Sequence, residues 1–181
     1  MNSEIYQPAE DSYILKETLK IYLKKIKDKN IKIIDMGSGS GIQAETCRKL
    51  GYVNILTGDI NPNVIKHLKQ QGFKSIKSDL FSKIKQKFDL IIFNPPYLPE
   101  DKYDKEPDTT AGKKGYEIII KFLEQAKNHL NQDGSIILLF SSLSKPEIIK
   151  KQATELGYKL KLINKKKIFF EELFVFEFKN R

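Results

Sequence analysis

Tryptophan is absent from this 181-residue chain, cysteine occurs once, and the 32 basic residues include only two arginines, Arg48 and Arg181. A single cysteine, Cys47, cannot close an internal disulfide; it falls in a helical stretch behind a glycine-rich turn and reads as a small core residue. His67 and His129 are far apart and lack companions at metal-ligand spacing, so no intrinsic metal site is expected. No apolar run reaches membrane-spanning length. The polar opening Met1-Asn2-Ser3-Glu4 also lacks the apolar core of a secretion signal, which points to a cytoplasmic protein. The formal net charge of +9 rests on lysine and favours acidic partners. Specific recognition of bases and phosphates leans on arginine, however, and the lysines are scattered except at Lys165-Lys166-Lys167, so nucleic acid is a disfavoured partner. No repeat or linker is visible, and 40% hydrophobic residues suffice for a single domain over 1–181.

What is present is concentrated at the ends of apolar runs. Phe88-Asp89-Leu90-Ile91-Ile92-Phe93 runs straight into Asn94-Pro95-Pro96-Tyr97. Two consecutive prolines force an extended exit from the strand and remove two N–H donors. The loop therefore offers acceptors: the Asn94 side-chain oxygen and the backbone carbonyls that follow. A planar –NH2 group, with two hydrogens to be received and a flat π system for Tyr97 to stack on, suits such a loop. A proline-stiffened turn would account for the Pro-Pro pair alone, and the segments upstream decide against that plainer account.

Ile31 to Met36 is a β-branched run that contains Asp35 and stops at Gly37-Ser38-Gly39-Ser40-Gly41, after which Ile42 to Leu50 reads as a helix. Strand, glycine turn and helix in that order make a nucleotide-binding loop, although the spacing is neither the dinucleotide fingerprint nor a P-loop. Asp35 would repel a pyrophosphate but could pair with an α-ammonium group. Val53 to Gly58 leads to Asp59, and Phe73 to Ser78 leads to Asp79. Ligands of open parallel sheets sit outside the carboxyl ends of the strands, and an acid about 20 residues beyond the glycine loop is placed to take a ribose diol. Helix-start and turn chemistry explain Asp59 or Asp79 singly. They do not explain four polar strand exits, Asp35, Asp59, Asp79 and Asn94, in register.

Further elements follow from periodicity. Residues 9–27 carry an apolar helical stripe, Pro62 opens a helix that Gly72 stops, and 116–130 is amphipathic. A buried strand at 136–140 follows a turn at Asp133-Gly134; Pro146 opens a last helix that ends at Gly157; and strands at 159–163 and 173–178 finish the chain. This alternation predicts an α/β fold with a parallel sheet and helices on both faces. The stretch from Leu98 to Gly115 lacks periodicity. Its length beside Asn94 makes it a candidate lid or substrate-recognition segment.

The three motifs, Asp35 to Gly41, Asp59-Ile60-Asn61-Pro62 and Asn94-Pro95-Pro96-Tyr97, resemble those of class I S-adenosylmethionine-dependent methyltransferases acting on amino groups of planar systems. The opening Tyr6-Gln7-Pro8-Ala9-Glu10-Asp11-Ser12 is similar to that of archaeal and eukaryotic HemK-like protein methyltransferases, which modify the glutamine of the Gly-Gly-Gln motif in class-1 translation release factors. The resemblance covers nearly the whole chain. It implies a Rossmann-like, seven-stranded, mostly parallel sheet whose last strand inserts antiparallel. For S-adenosylmethionine it implies Ser12, Asp35, Gly37, Gly39, Gly41, Asp59, Ile60, Asp79, Leu80 and Asn94 as contacts. Asp35 and the glycine loop take the methionine end, Asp59 the ribose and Asp79 the adenine amino group. Asn94, Pro95, Pro96 and Tyr97 would hold the acceptor, with Asn94, Pro95 and Tyr97 catalytic. The resemblance also implies a small zinc-binding activator subunit, since only about 30 residues precede the first strand, less than an independent recognition domain requires.

A carboxamide nitrogen is a poor nucleophile, but a sulfonium methyl is highly electrophilic, so orientation and local electrostatics could suffice without a general base. Three alternatives remain on the residues. An adenine-N6 methyltransferase shares the acceptor loop but needs machinery to extract a base. A lysine methyltransferase must first deprotonate an ammonium. A non-catalytic nucleotide-binding subunit would have little use for the intact motifs.

Overall fold

The structure is a computed structural model, and it describes residues 5–96 and 115–181. Among the described residues, seven strands form one sheet in the order β3-β2-β1-β4-β5-β7-β6. In chain order they are β1 Ile33–Met36, β2 Ile55–Asp59, β3 Lys74–Lys77, β4 Phe88–Phe93, β5 Leu130–Ser141, β6 Tyr158–Lys167 and β7 Glu172–Asn180. The first five pair parallel, and β7 runs antiparallel between β5 and β6. The expected topology is therefore present, inserted last strand included. β1 is buried along its whole length and β4 nearly so, the pattern of parallel strands covered on both faces.

The helices are α1 Glu10–Leu23, α2 Ile42–Lys49, α3 Pro62–Gln70, α4 Glu117–His129 and α5 Pro146–Glu155. Two separate cores show how they are distributed. Leu15 and Leu19 of α1, Ala44 and Cys47 of α2, and Leu68 of α3 pack on Ile33, Leu90 and Ile137. On the opposite face, Phe122 and Ala126 of α4 and Ile149 of α5 pack on Ile34, Ile91 and Leu138. Alternate residues of one strand thus serve opposite cores, as the two-residue repeat of a strand requires. Cys47 is buried, and burial raises its thiol pKa, so it is the inert core residue the sequence implied.

Boundaries depart from the sequence pattern where tertiary contacts intervene. Helix α1 stops at Leu23, not residue 27; the hydroxyl of buried Tyr52 donates to the Leu23 carbonyl at 2.9 Å and satisfies an acceptor that a longer helix would have used. β5 begins at Leu130, so the Asp133-Gly134 pair is an irregularity inside a strand and not a turn preceding one. Phe88 pairs with Leu130 and Leu90 with Ser135, leaving the intervening residues as a bulge. β6 extends to Lys167 because β7 supplies a partner along its full length.

Candidate active site

Parallel pairing brings the polar strand exits to one edge. Met36 is in register with both Gly58 and Phe93, and Asp59 with Lys77, so the ends of β1, β2, β3 and β4 lie side by side. They wall a cavity of about 250 Å3 together with the Gly37–Ser40 backbone and the first turn of α1. Of the expected cofactor contacts, Ser12, Asp35, Gly37, Gly39, Asp59, Ile60, Asp79, Leu80 and Asn94 all line it, as do the acceptor residues Pro95 and Pro96. Tyr97 and nearly all of the 98–115 stretch lie outside the described residues.

Gly41 is the exception. It does not line the cavity but starts α2 with φ 81°, and a Cβ there would stand 2.5 Å from Leu68 Cδ2. Backbone sign and helix packing each require glycine there.

Each acid occupies a different electrostatic setting. Asp35 is fully buried, accepts from the Ala44 N–H at 3.0 Å, and has its pKa pushed up to about 8, first by burial and further by the Asp59 charge. Such a carboxyl is short of a cation. Asp59 ties the glycine loop to the next turn, accepting from Gly39 N–H at 3.1 Å on one oxygen and Asn61 N–H at 2.9 Å on the other. Asn61, not Asp59, caps α3, through its side-chain oxygen and the Asn63 N–H. Asp79 is half exposed and ion-paired with Lys121 at 2.9 Å. Beside it, Leu80 holds φ 46°, a strained conformation for a bulky residue, at the cavity wall.

Two carboxamides have been turned in one direction by the start of α1. Asn94 Nδ2 donates to Asp11 Oδ2 at 2.7 Å, and Gln43 Nε2 donates to the Ser12 carbonyl at 2.9 Å. In each case the amide oxygen, Asn94 Oδ1 and Gln43 Oε1, is buried with no hydrogen-bond partner among the described residues, and both residues line the cavity. An unsatisfied buried acceptor costs about 1–3 kcal/mol, so two in one cavity mark places where ligand donors belong. Asp11 is itself over-determined: its Oδ1 accepts from the Ser12 N–H at 2.6 Å and from the Tyr6 hydroxyl at 3.0 Å. Burial, and then the Asp11 charge, raise the Tyr6 pKa, so the phenol remains a donor.

Asp11, Gln43 and Tyr6 carried no individual role in the sequence. An acid in the first turn of a helix is ordinary complement to the helix dipole, and a glutamine in a helix is ordinary surface polarity. Their only signal was the shared opening motif around Asp11 and the position of Gln43 just past the glycine loop.

The fold and site together are those of a class I methyltransferase. The chain belongs to the methyltransferase small domain family, whose model matches residues 14–167. Among its relatives, a protein of Methanocaldococcus jannaschii assigned as protein N5-glutamine methyltransferase MJ0928 is 35% identical over 97% of this chain and 91% of its own length. The release factor glutamine methyltransferase of Clostridium botulinum is 38% identical over 71% of this chain. The chain spans about half the length of that enzyme and of two further bacterial release factor glutamine methyltransferases it matches. Among solved structures, a chain of the E. cuniculi Mtq2-Trm112 complex superposes with a TM-score of 0.81 over 99% of this chain and all of that one, at 24% identity. That complex is described as methylating the translation termination factor eRF1.

Proposed function

We propose that this protein transfers a methyl group from S-adenosylmethionine to the side-chain amide nitrogen of the glutamine in the Gly-Gly-Gln motif of a class-1 release factor. One observation carries the reading: Asn94 presents to the cavity a buried Oδ1 without a partner among the described residues, because Asp11 holds its Nδ2 at 2.7 Å. The names of the relatives supply the acceptor class.

The residues present fit the cofactor. Asp35 and Gln43 Oε1, buried with no cation and no donor respectively among the described residues, suit the methionine α-ammonium. The Gly37–Ser40 backbone admits the chain that follows it. Asp59, at the carboxyl end of β2 and on the cavity wall, is the carboxylate placed to accept from ribose hydroxyls. Ile60, Asp79 and Leu80 wall the adenine end, and Ser12 stands near the methionine end. When bound, S-adenosylmethionine supplies an electrophilic methyl.

The acceptor loop then does the orienting. Asn94 Oδ1 and the Pro95 carbonyl receive the two N–H groups of the glutamine amide, which aims its nitrogen and favours the positive charge that grows there. Pro96 stiffens the exit, and the stacking role of Tyr97 rests on its sequence position alone. The proton becomes acidic as the new bond forms, so no base is needed beforehand. Asn94→Ala lowers turnover by roughly 10²–10³-fold with little loss of cofactor affinity.

A small partner subunit, zinc-binding as the resemblance implies, completes the proposal. Mtq2 was solved with Trm112. Here β3 is an edge strand of four residues, and Ile60 and Val53 nearby are 64% and 71% exposed. An unpaired strand edge with apolar neighbours is a ready surface for a second chain. The decisive experiment is transfer of labelled methyl to a class-1 release factor, with Gly-Gly-Gln intact or its glutamine changed to alanine, with and without the partner subunit. Labelling that survives the alanine change rules out the acceptor.

A further inference from the structure

The turn between β6 and β7 leaves Phe169 97% and Phe170 94% exposed, with ring centroids 6.4 Å apart. Isolated exposed apolar residues need no explanation, but two adjacent phenylalanines in open water at a hairpin tip do. The core does not require them: Ile168, the residue before, already packs into it.

The position of the tip is set by the sheet. Ser141, at the carboxyl end of β5, pairs with Leu173 at the start of β7, and Lys167 at the end of β6 pairs with Glu172. The tip therefore stands on the same edge as Asn94, which follows the carboxyl end of β4. It is also held there. Ser141 Oγ donates to the Glu171 carboxylate, the Glu172 N–H donates to Ser142 Oγ at 3.0 Å, and Lys166 pairs at 3.7 Å with Glu10, next to Asp11. An exposed aromatic pair on a tethered turn, at the same sheet edge as the cavity, is an anchor of the type that dominates binding energies.

We propose that Phe169 and Phe170 dock an apolar surface of the acceptor protein and so deliver its glutamine to Asn94. This rests on the reading of the acceptor as a protein. Local charge favours a protein over nucleic acid, because Lys165 is paired with Glu172, Lys166 with Glu10, and Glu171 follows the aromatics directly. A phosphate backbone would meet a balanced surface with no arginine. Sheet order separates the tip from the proposed partner-subunit edge, since β3 and β6 are the two opposite margins.

The test is the double variant Phe169→Ser, Phe170→Ser, whose near-complete exposure leaves the fold unaffected. Methyl transfer to a class-1 release factor is measured at saturating S-adenosylmethionine, with the partner subunit present, alongside calorimetric binding of S-adenosylhomocysteine. The expected result is a rise in KM for the release factor of about 10- to 100-fold with kcat, cofactor affinity and thermal midpoint unchanged. An unchanged KM overturns the docking role while leaving the enzymatic reading intact. A rise in KM that disappears at excess partner subunit, or a change in self-association, assigns the tip to another chain and also overturns it. Failure of the unsubstituted protein to label any release factor overturns the acceptor reading and this proposal together.

Discussion

Asp11 holds Asn94: one carboxylate oxygen receives the Asn94 amide at 2.7 Å while the other receives the Ser12 N–H and the Tyr6 hydroxyl. Three donors converge on one side chain from two sides, which only a group with acceptors on both oxygens can satisfy. A carboxamide would face one of them with its own N–H.

Asp11→Asn is therefore expected to fold and bind cofactor but to lose orientation of Asn94. Turnover falls by about 10- to 100-fold, with little change in the affinity for S-adenosylhomocysteine. Steady-state kinetics set against calorimetry check this, and equal losses in both would make Asp11 a structural residue.

Gln43→Leu separates the two ends of the cofactor. Removing the unpartnered Oε1 weakens binding of S-adenosylhomocysteine by about tenfold, the worth of one hydrogen bond to a charged group. Methylthioadenosine, which has no amino-acid moiety, binds equally to both proteins. A loss shared by both ligands would mean that Gln43 serves only to brace α1 through the Ser12 carbonyl.

Asp35 couples both stability and ligand binding to pH. Its folded pKa, about 8, lies above the ordinary 3.8, so the native state binds the proton more tightly than the unfolded chain. Stability is full below the lower value and is lost as pH rises through the window between the two, levelling off above it. A bound ammonium favours the carboxylate, so at pH 7 cofactor binding releases on the order of one proton. Titration calorimetry in two buffers of different ionisation enthalpy measures that release, and Asp35→Asn abolishes it.

Gly41→Ala tests a structural glycine against a ligand-binding one. A left-handed backbone at φ 81° and a Cβ 2.5 Å from Leu68 predict a stability loss on the order of 2–4 kcal/mol. Thermal unfolding would show a midpoint lower by roughly 5–15 °C. Below that temperature the affinity for S-adenosylhomocysteine is retained, since Gly41 does not line the cavity.

Much of this was legible in one dimension. The strands before Asp59 and Asn94 announce themselves through apolar runs followed by a polar residue, and a parallel sheet necessarily aligns such ends; β3, Lys74–Lys77 ahead of Asp79, is a half-exposed edge strand with a weaker signal. Asp133-Gly134 misled, because a turn-forming pair is also what a strand bulge uses. At Gly41 the spacing matches a ligand loop, while a separate requirement for glycine comes from Leu68, twenty-seven positions away in sequence and invisible to local pattern.

Local pattern specifies the sheet, the order of the motifs and the acceptor character of the Asn94-Pro95-Pro96 exit, because period-two burial, glycine and proline act through neighbouring residues. Which way the Asn94 and Gln43 carboxamides face is a property of the folded chain. That direction is set by hydrogen bonds from α1 across 83 and 31 residues of chain, and no local pattern can encode a partner so far away. The exposed aromatic pair at the β6–β7 tip follows the same logic. Its composition is written in the chain, but its place on the edge of the sheet beside Asn94 comes from the antiparallel insertion of β7.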